Sequence, residues 1–189
     1  MRLLLGLGNP GEPYRDTRHN VGFRVIDELA RRWQVPVDRL ECNSLAGHHK
    51  PAEGEDVLLV KPQTYMNRSG YAARCFAEHH ALDPAAVLVV YDEVNLPLGK
   101  LRVRRAGSPA GHRGLESIIE NLRTSEIPRL RLGVAPEGGA KYEDLADFVL
   151  APFAPEELKT VEEMIRRAAD ACEVWVREGV EAAMQGFNG

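Results

Sequence analysis

Cysteine, long apolar runs and a strong charge of either sign are what this chain has little of. Its three cysteines, Cys42, Cys75 and Cys172, lie far apart without C-x-x-C spacing. That pattern implies neither a disulfide framework nor a zinc site, and a reducing cytoplasm fits it best. No apolar run approaches the ~20 residues that span a bilayer. The start, M-R-L-L-L-G, carries a single cation and an apolar run that breaks at glycine, so it reads as a buried strand and not as a signal peptide. Among the six histidines there is no H-E-x-x-H and no mixture with cysteine at ligand spacing. The adjacent pairs His48-His49 and His79-His80 would point in different directions on any regular element. No metal and no cofactor are therefore expected. A G-x-S-x-G elbow is also missing, which argues against a serine hydrolase.

A chain of 189 residues is expected to form one domain, residues 1–189, and to bury roughly 70% of its unfolded surface. The net charge of −4 speaks against a nucleic-acid partner at first sight, but its distribution is uneven. Leu96 to Ala135 holds eight Lys/Arg against three Glu, whereas Pro136 to the end holds five against twelve acidic residues. The middle segment could present a cationic face on an acidic protein. It could equally be a solvated strand edge guarded by charge.

Leu3 to Leu7 and Val87 to Tyr91 are continuous apolar runs of the kind buried on both faces of a sheet. Val57 to Val60 is a further core strand, paired with the Cys42–Lys50 stretch through a turn at Pro51–Asp56. Leu101 to Arg105 alternates apolar and basic residues, and Leu130 to Val134 closes the set of strands. Helical spacing runs from Val21 to Trp33, where Pro36 helps to end it. Further helices are predicted from Ser69 to about His80, from Gly111 to Leu122 and from Pro155 to about Gly179. Strands alternating with helices predict an α/β fold: a single-domain three-layer α/β/α sandwich whose twisted mixed β-sheet is flanked by helices.

Two sequence features suggest chemistry. Gly6-x-Gly8-x-x-Gly11 follows a strand and formally matches a dinucleotide fingerprint, but that motif needs a helix to open within the glycines. Here Pro10 and Pro13 intervene and the helical period starts only near Val21. Sharp turns that place Asn9 at a strand tip are the better reading. His19, between Arg18 and Asn20 in a polar loop, is the second feature. A neutral imidazole is a general base near pH 7 if a carboxylate fixes its tautomer. Asp92, at the tip of a predicted strand, is the candidate partner, with a turn-initiating carboxylate as the alternative.

Six segments occur in order along the chain: G-L-G-N-P-G, T-R-H-N-V-G, K-P-Q-T-Y-M-N-R-S-G, D-E-V-N-L-P-L-G, A-G-H-R-G-L-E-S-I-I and R-L-R-L-G-V. In order and spacing they resemble the motifs of bacterial peptidyl-tRNA hydrolase. The resemblance implies an esterase that frees tRNA from a peptide, with His19 as catalytic base and Asp92 holding it. It implies that Asn9 discriminates a blocked amino group, that Asn67 orients the ester, and that Tyr14 and Tyr65 contact terminal nucleotides or peptide. Arg104 and Arg131 match cations near the tRNA 5′-phosphate, so the implied partner is peptidyl-tRNA, gripped at its acceptor stem and CCA end by a monomer. Arg102 and Arg105 also suit a phosphate backbone. Arg113 departs from the pattern, because the family typically has an asparagine there, implicated in substrate binding and in holding water. Arginine cannot accept a hydrogen bond, so that role does not transfer unchanged. Asn95 stands for the usual aspartate. A rival reading keeps the scaffold and drops the catalysis, since the resemblance extends to a plant intron-splicing factor that binds RNA.

Overall fold

The computed structural model describes residues 1–137 and 144–189. Seven strands are β1 (Arg2–Gly6), β2 (Arg39–Glu41), β3 (Ser44–His49), β4 (Val57–Pro62), β5 (Val87–Pro97), β6 (Leu101–Arg104) and β7 (Arg129–Ala135). They form one sheet in the order β2-β3-β4-β1-β5-β7-β6. The four central strands are parallel, with β1 between β4 and β5 and with β7 beside β5. A β2–β3 hairpin adds antiparallel to one side and β6 adds antiparallel to the other. The mixed sheet predicted from hairpin-short connections is observed.

Alternation along β1 assigns the layers. Leu4 faces a core shared with α1 (Val21–Trp33), α5 (Leu158–Glu178) and α6 (Val180–Phe187). Leu3 and Leu5 face a second core built with α2 (Ser69–His79) and α3 (Arg113–Leu122). Both neighbours of Leu4 are fully buried, so the continuous apolar run at the start is the signature of a strand covered on both sides. Helix α1 ends where Gln34 turns left-handed and its N–H bonds back to Ala30 and Arg31 carbonyls, two residues before Pro36.

Several elements differ from expectation. Asp92 was predicted at a strand tip, yet β5 runs on to Pro97, with a shift of register against β7 between Glu93 and Pro97. Bulges of this kind bend a strand and re-aim its side chains. The short strand β2 and the helices α4 (Leu145–Val149) and α6 carried no clear period in the sequence. Gly6 provides no turn: it ends β1, and a Cβ there would lie 2.3 Å from the Gly22 carbonyl oxygen. It permits α1 to sit hard against the sheet, while Gly11, at φ 103°, makes the turn.

Candidate active site

The chain leaves β1 for one side of the sheet and crosses back to β5 on the other, so the carboxyl ends of β1, β4 and β5 surround a point where the winding reverses. Open α/β sheets place their ligands at such a point. Here it holds a cleft of about 550 Å³ whose lining includes Asn9, His19, Tyr65, Asn67, Asp92 and His112.

Asp92 is the buried centre of the cleft, 2% exposed. The His19 Nδ1 lies 2.9 Å from both carboxylate oxygens, and the His112 Nε2 lies 3.0 Å from one of them. Burial alone would push this carboxyl up. The imidazoles facing it, His19 foremost, more than offset that and hold it well below the usual carboxylate range. Ionised Asp92 has only acceptors, so each ring must bring it an N–H. His112 also caps α3, its Nδ1 accepting from the Leu115 N–H at 3.3 Å. Its single proton therefore resides on Nε2. For His19 the same reasoning puts the proton on Nδ1 and leaves Nε2 with a lone pair, the state a general base requires.

Asn9 is held as firmly. Its backbone exchanges two hydrogen bonds with the Asn20 side chain, each 2.9 Å. Its carboxamide oxygen accepts from the Met66 N–H at 2.7 Å. The oxygen being used, the NH₂ is the end left to face the cleft. Asn20 thus locks the β1 exit to the turn that carries His19. The Tyr14 and Tyr65 rings meet edge to face with centroids 6.4 Å apart. Tyr65 is 55% exposed. It has φ 63°, a conformation costly for a bulky side chain, directly before the segment bearing Asn67.

The structure thus brings His19, Asp92, Asn9, Asn67 and Tyr65 to one cleft with Arg113 exposed on its wall. The other cations are elsewhere. Arg102 and Arg104 pair in register with Arg131 and Arg129 across β6 and β7, so all four project from one sheet face. Arg131 reaches Glu93 at 3.3 Å. Arg129 is buried and spends its guanidinium on the carbonyls of Gly107, Ser108, Ser125 and Ile127. Arg105 points the other way, onto Glu181 of α6, so it drops out of the phosphate-binding group expected from the sequence. His112 was missed. Its place just before a glycine-led helix, as a candidate cap, was the available signal.

Two corrections concern cysteine. Cys42 and Cys75 are joined in a disulfide with Cα atoms 5.7 Å apart, against the expectation of none. Together with His79 they also form a cluster of possible metal donors, which wide sequence spacing had argued against. His19, Asp92 and His112 are a second such cluster, but there the carboxylate takes an N–H from each ring, a protonic use of the same atoms.

The family pattern described as peptidyl-tRNA hydrolase matches residues 3–189. Over the full chain, a peptidyl-tRNA hydrolase of Synechococcus sp. (strain JA-3-3Ab) is 46% identical, with 83% of that protein covered. One from Alkaliphilus oremlandii is 43% identical, with both chains covered completely. The crystal structure of peptidyl-tRNA hydrolase from Acinetobacter baumannii superposes with a TM-score of 0.91 at 32% identity, covering 100% of this chain and 95% of that one.

Proposed function

The chain belongs to the peptidyl-tRNA hydrolase family, and from that premise we propose that it cleaves the ester between a peptide and tRNA with His19 as general base. It acts as a single-domain monomer in the cytoplasm, and its product tRNA returns to translation. Water held at His19 Nε2 loses a proton to the ring as its oxygen attacks the ester carbonyl. Asp92 stabilises the imidazolium, and His112, donating to the same carboxylate, fixes where that carboxylate sits. The imidazolium then returns the proton to the departing ribose oxygen. The Asn67 carboxamide offers an uncharged N–H donor to the oxyanion, and the Asn9 NH₂ reads the acylated amino group. Leu145, Val149 and Leu150 of α4 and its end give the cleft an apolar wall for peptide side chains. Tyr14 and Tyr65 stack on or flank the terminal nucleotides. Arg104 and Arg131 meet acceptor-stem phosphates, which supply affinity and no sequence reading.

The observation that carries this reading is the buried carboxylate that orders two imidazoles and leaves one ring nitrogen free for water. The test is single-turnover cleavage of an N-acylated aminoacyl-tRNA, with the unacylated form as control. The acylated substrate should be cleaved and the control spared. His19→Ala should slow cleavage by roughly 10²–10⁴-fold while leaving binding intact. Binding without cleavage by the unaltered protein would instead favour an RNA-binding protein on the same scaffold.

A further inference from the structure

Far from the cleft, the β2–β3 turn meets the end of α2. Cys42 and Asn43 are the two central residues of that turn, both left-handed at φ 51°. Asparagine, aspartate and glycine suit such positions, and a cysteine there is costly. The turn aims the Cys42 side chain at α2, where Cys75 and His79, four residues apart, share one helix face. Cys42 Sγ is 3.7 Å from His79 Nδ1, and Cys75 Sγ is 3.9 Å from His79 Nε2. Both cysteines are partly accessible and His79 is exposed.

We propose that Cys42, Cys75 and His79 form a second site, a disulfide whose reduction opens a three-donor pocket for a borderline-soft divalent cation such as Zn²⁺. With Zn–S about 2.3 Å and Zn–N about 2.0 Å, a tetrahedral ion needs sulfur–nitrogen separations of roughly 3.5 Å. The His79 ring offers a single nitrogen to one ion: Cys42 Sγ already lies 3.7 Å from Nδ1, and one donor atom from each of the three residues lies within 4.8 Å of the others. Opening the sulfur–sulfur bond, with an adjustment of the His79 ring that brings one nitrogen within reach of both sulfurs, is then the change required. Two thiolates and one imidazole select zinc- or cobalt-like ions over Mg²⁺ or Ca²⁺, and three protein donors leave one position for water. The steps balance. A dithiol reductant gives up two electrons and two protons and becomes a disulfide, while Cys42 and Cys75 become thiols. The cation then displaces the two thiol protons. Cys172 takes no part, because it is fully buried and burial pushes its thiol up.

The active-site imidazoles could also take up a cation, so the readout must report sulfur. Full-length protein is oxidised mildly, or reduced with a phosphine and desalted without air, and each form is titrated with Co²⁺. Reduced protein should bind one Co²⁺ with near-ultraviolet thiolate charge-transfer bands, and Zn²⁺ should abolish them by displacement. Oxidised protein should show no such bands, and thiol counting after denaturation should find one thiol there against three when reduced. Cys75→Ser should lose the bands. His79→Ala, which keeps both thiols, should bind roughly tenfold or more weakly, since even a ligand's supporting partner is felt on that scale. Reduced protein without thiolate bands would overturn the proposal, as would bands unchanged in Cys75→Ser or three free thiols after oxidation.

Discussion

Asp92 has two consequences that can be measured. Its carboxyl is held below the ordinary range when folded, so its contribution to stability is complete above the unfolded carboxylate pKa of about 3.9 and is lost as pH falls through the lower folded value. Chemical denaturation of the wild type against Asp92→Asn should therefore show a stability difference at pH 5–7 that narrows below about pH 4. A difference that widens toward acid would contradict the sign. In the mechanism proposed above the neutral imidazole is the working form, so the rate should rise with pH. Asp92→Asn removes the charge that steadies the imidazolium in the proposed transition state and should reduce kcat. An undiminished kcat would mean that the carboxylate does not act on His19. Arg113 is the other instructive residue. Exposed on the cleft wall, it can donate to a peptide carbonyl or the terminal phosphate but cannot accept from water. In the proposed mechanism water positioning then falls on His19, Asn9 and Asn67. Arg113→Asn and Arg113→Ala should both raise KM, and Arg113→Ala the more; equality of all three proteins in kcat and KM would make Arg113 a bystander.

At the scale of elements, the wall formed by α4 is tied to the turn that carries His19 through Arg18. Its guanidinium donates to the carbonyls of Phe148, Ala151 and Pro152 and to the Glu157 carboxylate, and it lies over the Phe148 and Phe153 rings. The ion pair is largely buried, with side chains 8% and 16% exposed. Removing one partner of such a pair costs about 3–5 kcal/mol, because the other charge is left behind. Arg18→Ala should lose about that much in denaturant unfolding, and its KM for a peptidyl substrate should rise as α4 loses its anchor. A loss below about 1 kcal/mol would show the pair to be effectively solvated. The sequence reading placed Arg18 only as a neighbour of His19, since its partners lie more than 120 residues away and no local pattern encodes them. The apolar runs of β1 and β5 and the period of α1 are local patterns that announce their elements. α4 is five residues long, too short for a helical period to stand out. Asp92 was placed correctly as a partner and wrongly as a strand tip, because the Asp, Asn and Pro of the Asp92–Pro97 stretch are turn-forming residues although its backbone stays in the ladder. Cys75 and His79 lie at i, i+4 spacing, which the sequence reading passed over as a ligand pair, and no local pattern encodes the hairpin that brings Cys42 to them.

For the whole molecule, the question is how an acidic chain with net charge −4 binds a polyanion. The local excess of cations between Leu96 and Ala135 suggested a basic face, and the fold reduces it. Arg129 is consumed inside, Arg105 is paired with Glu181 on the opposite side, and Arg131 shares Glu93. Arg102 and Arg104 remain on the β6 face beside Arg131, with Arg113 and Arg123 exposed at the two ends of α3. A few cations on one face suffice if their field is local, since exposed charges beyond about 8 Å are largely screened at physiological ionic strength. The acidic C-terminal helices then do not cancel them. Contacts of this kind should make binding modestly salt-dependent, with each lost phosphate contact reducing the slope of log K against log salt by roughly 0.7–0.9. Arg104→Glu should therefore raise KM for peptidyl-tRNA and flatten its salt dependence by at least one such increment. A minimal substrate, in which the peptide ester is attached to little more than the terminal nucleotide, should not respond. Equal losses on both substrates would move Arg104 from the RNA interface to the scaffold, and would leave the acceptor stem to be held at the cleft mouth by Arg113 and the tyrosines.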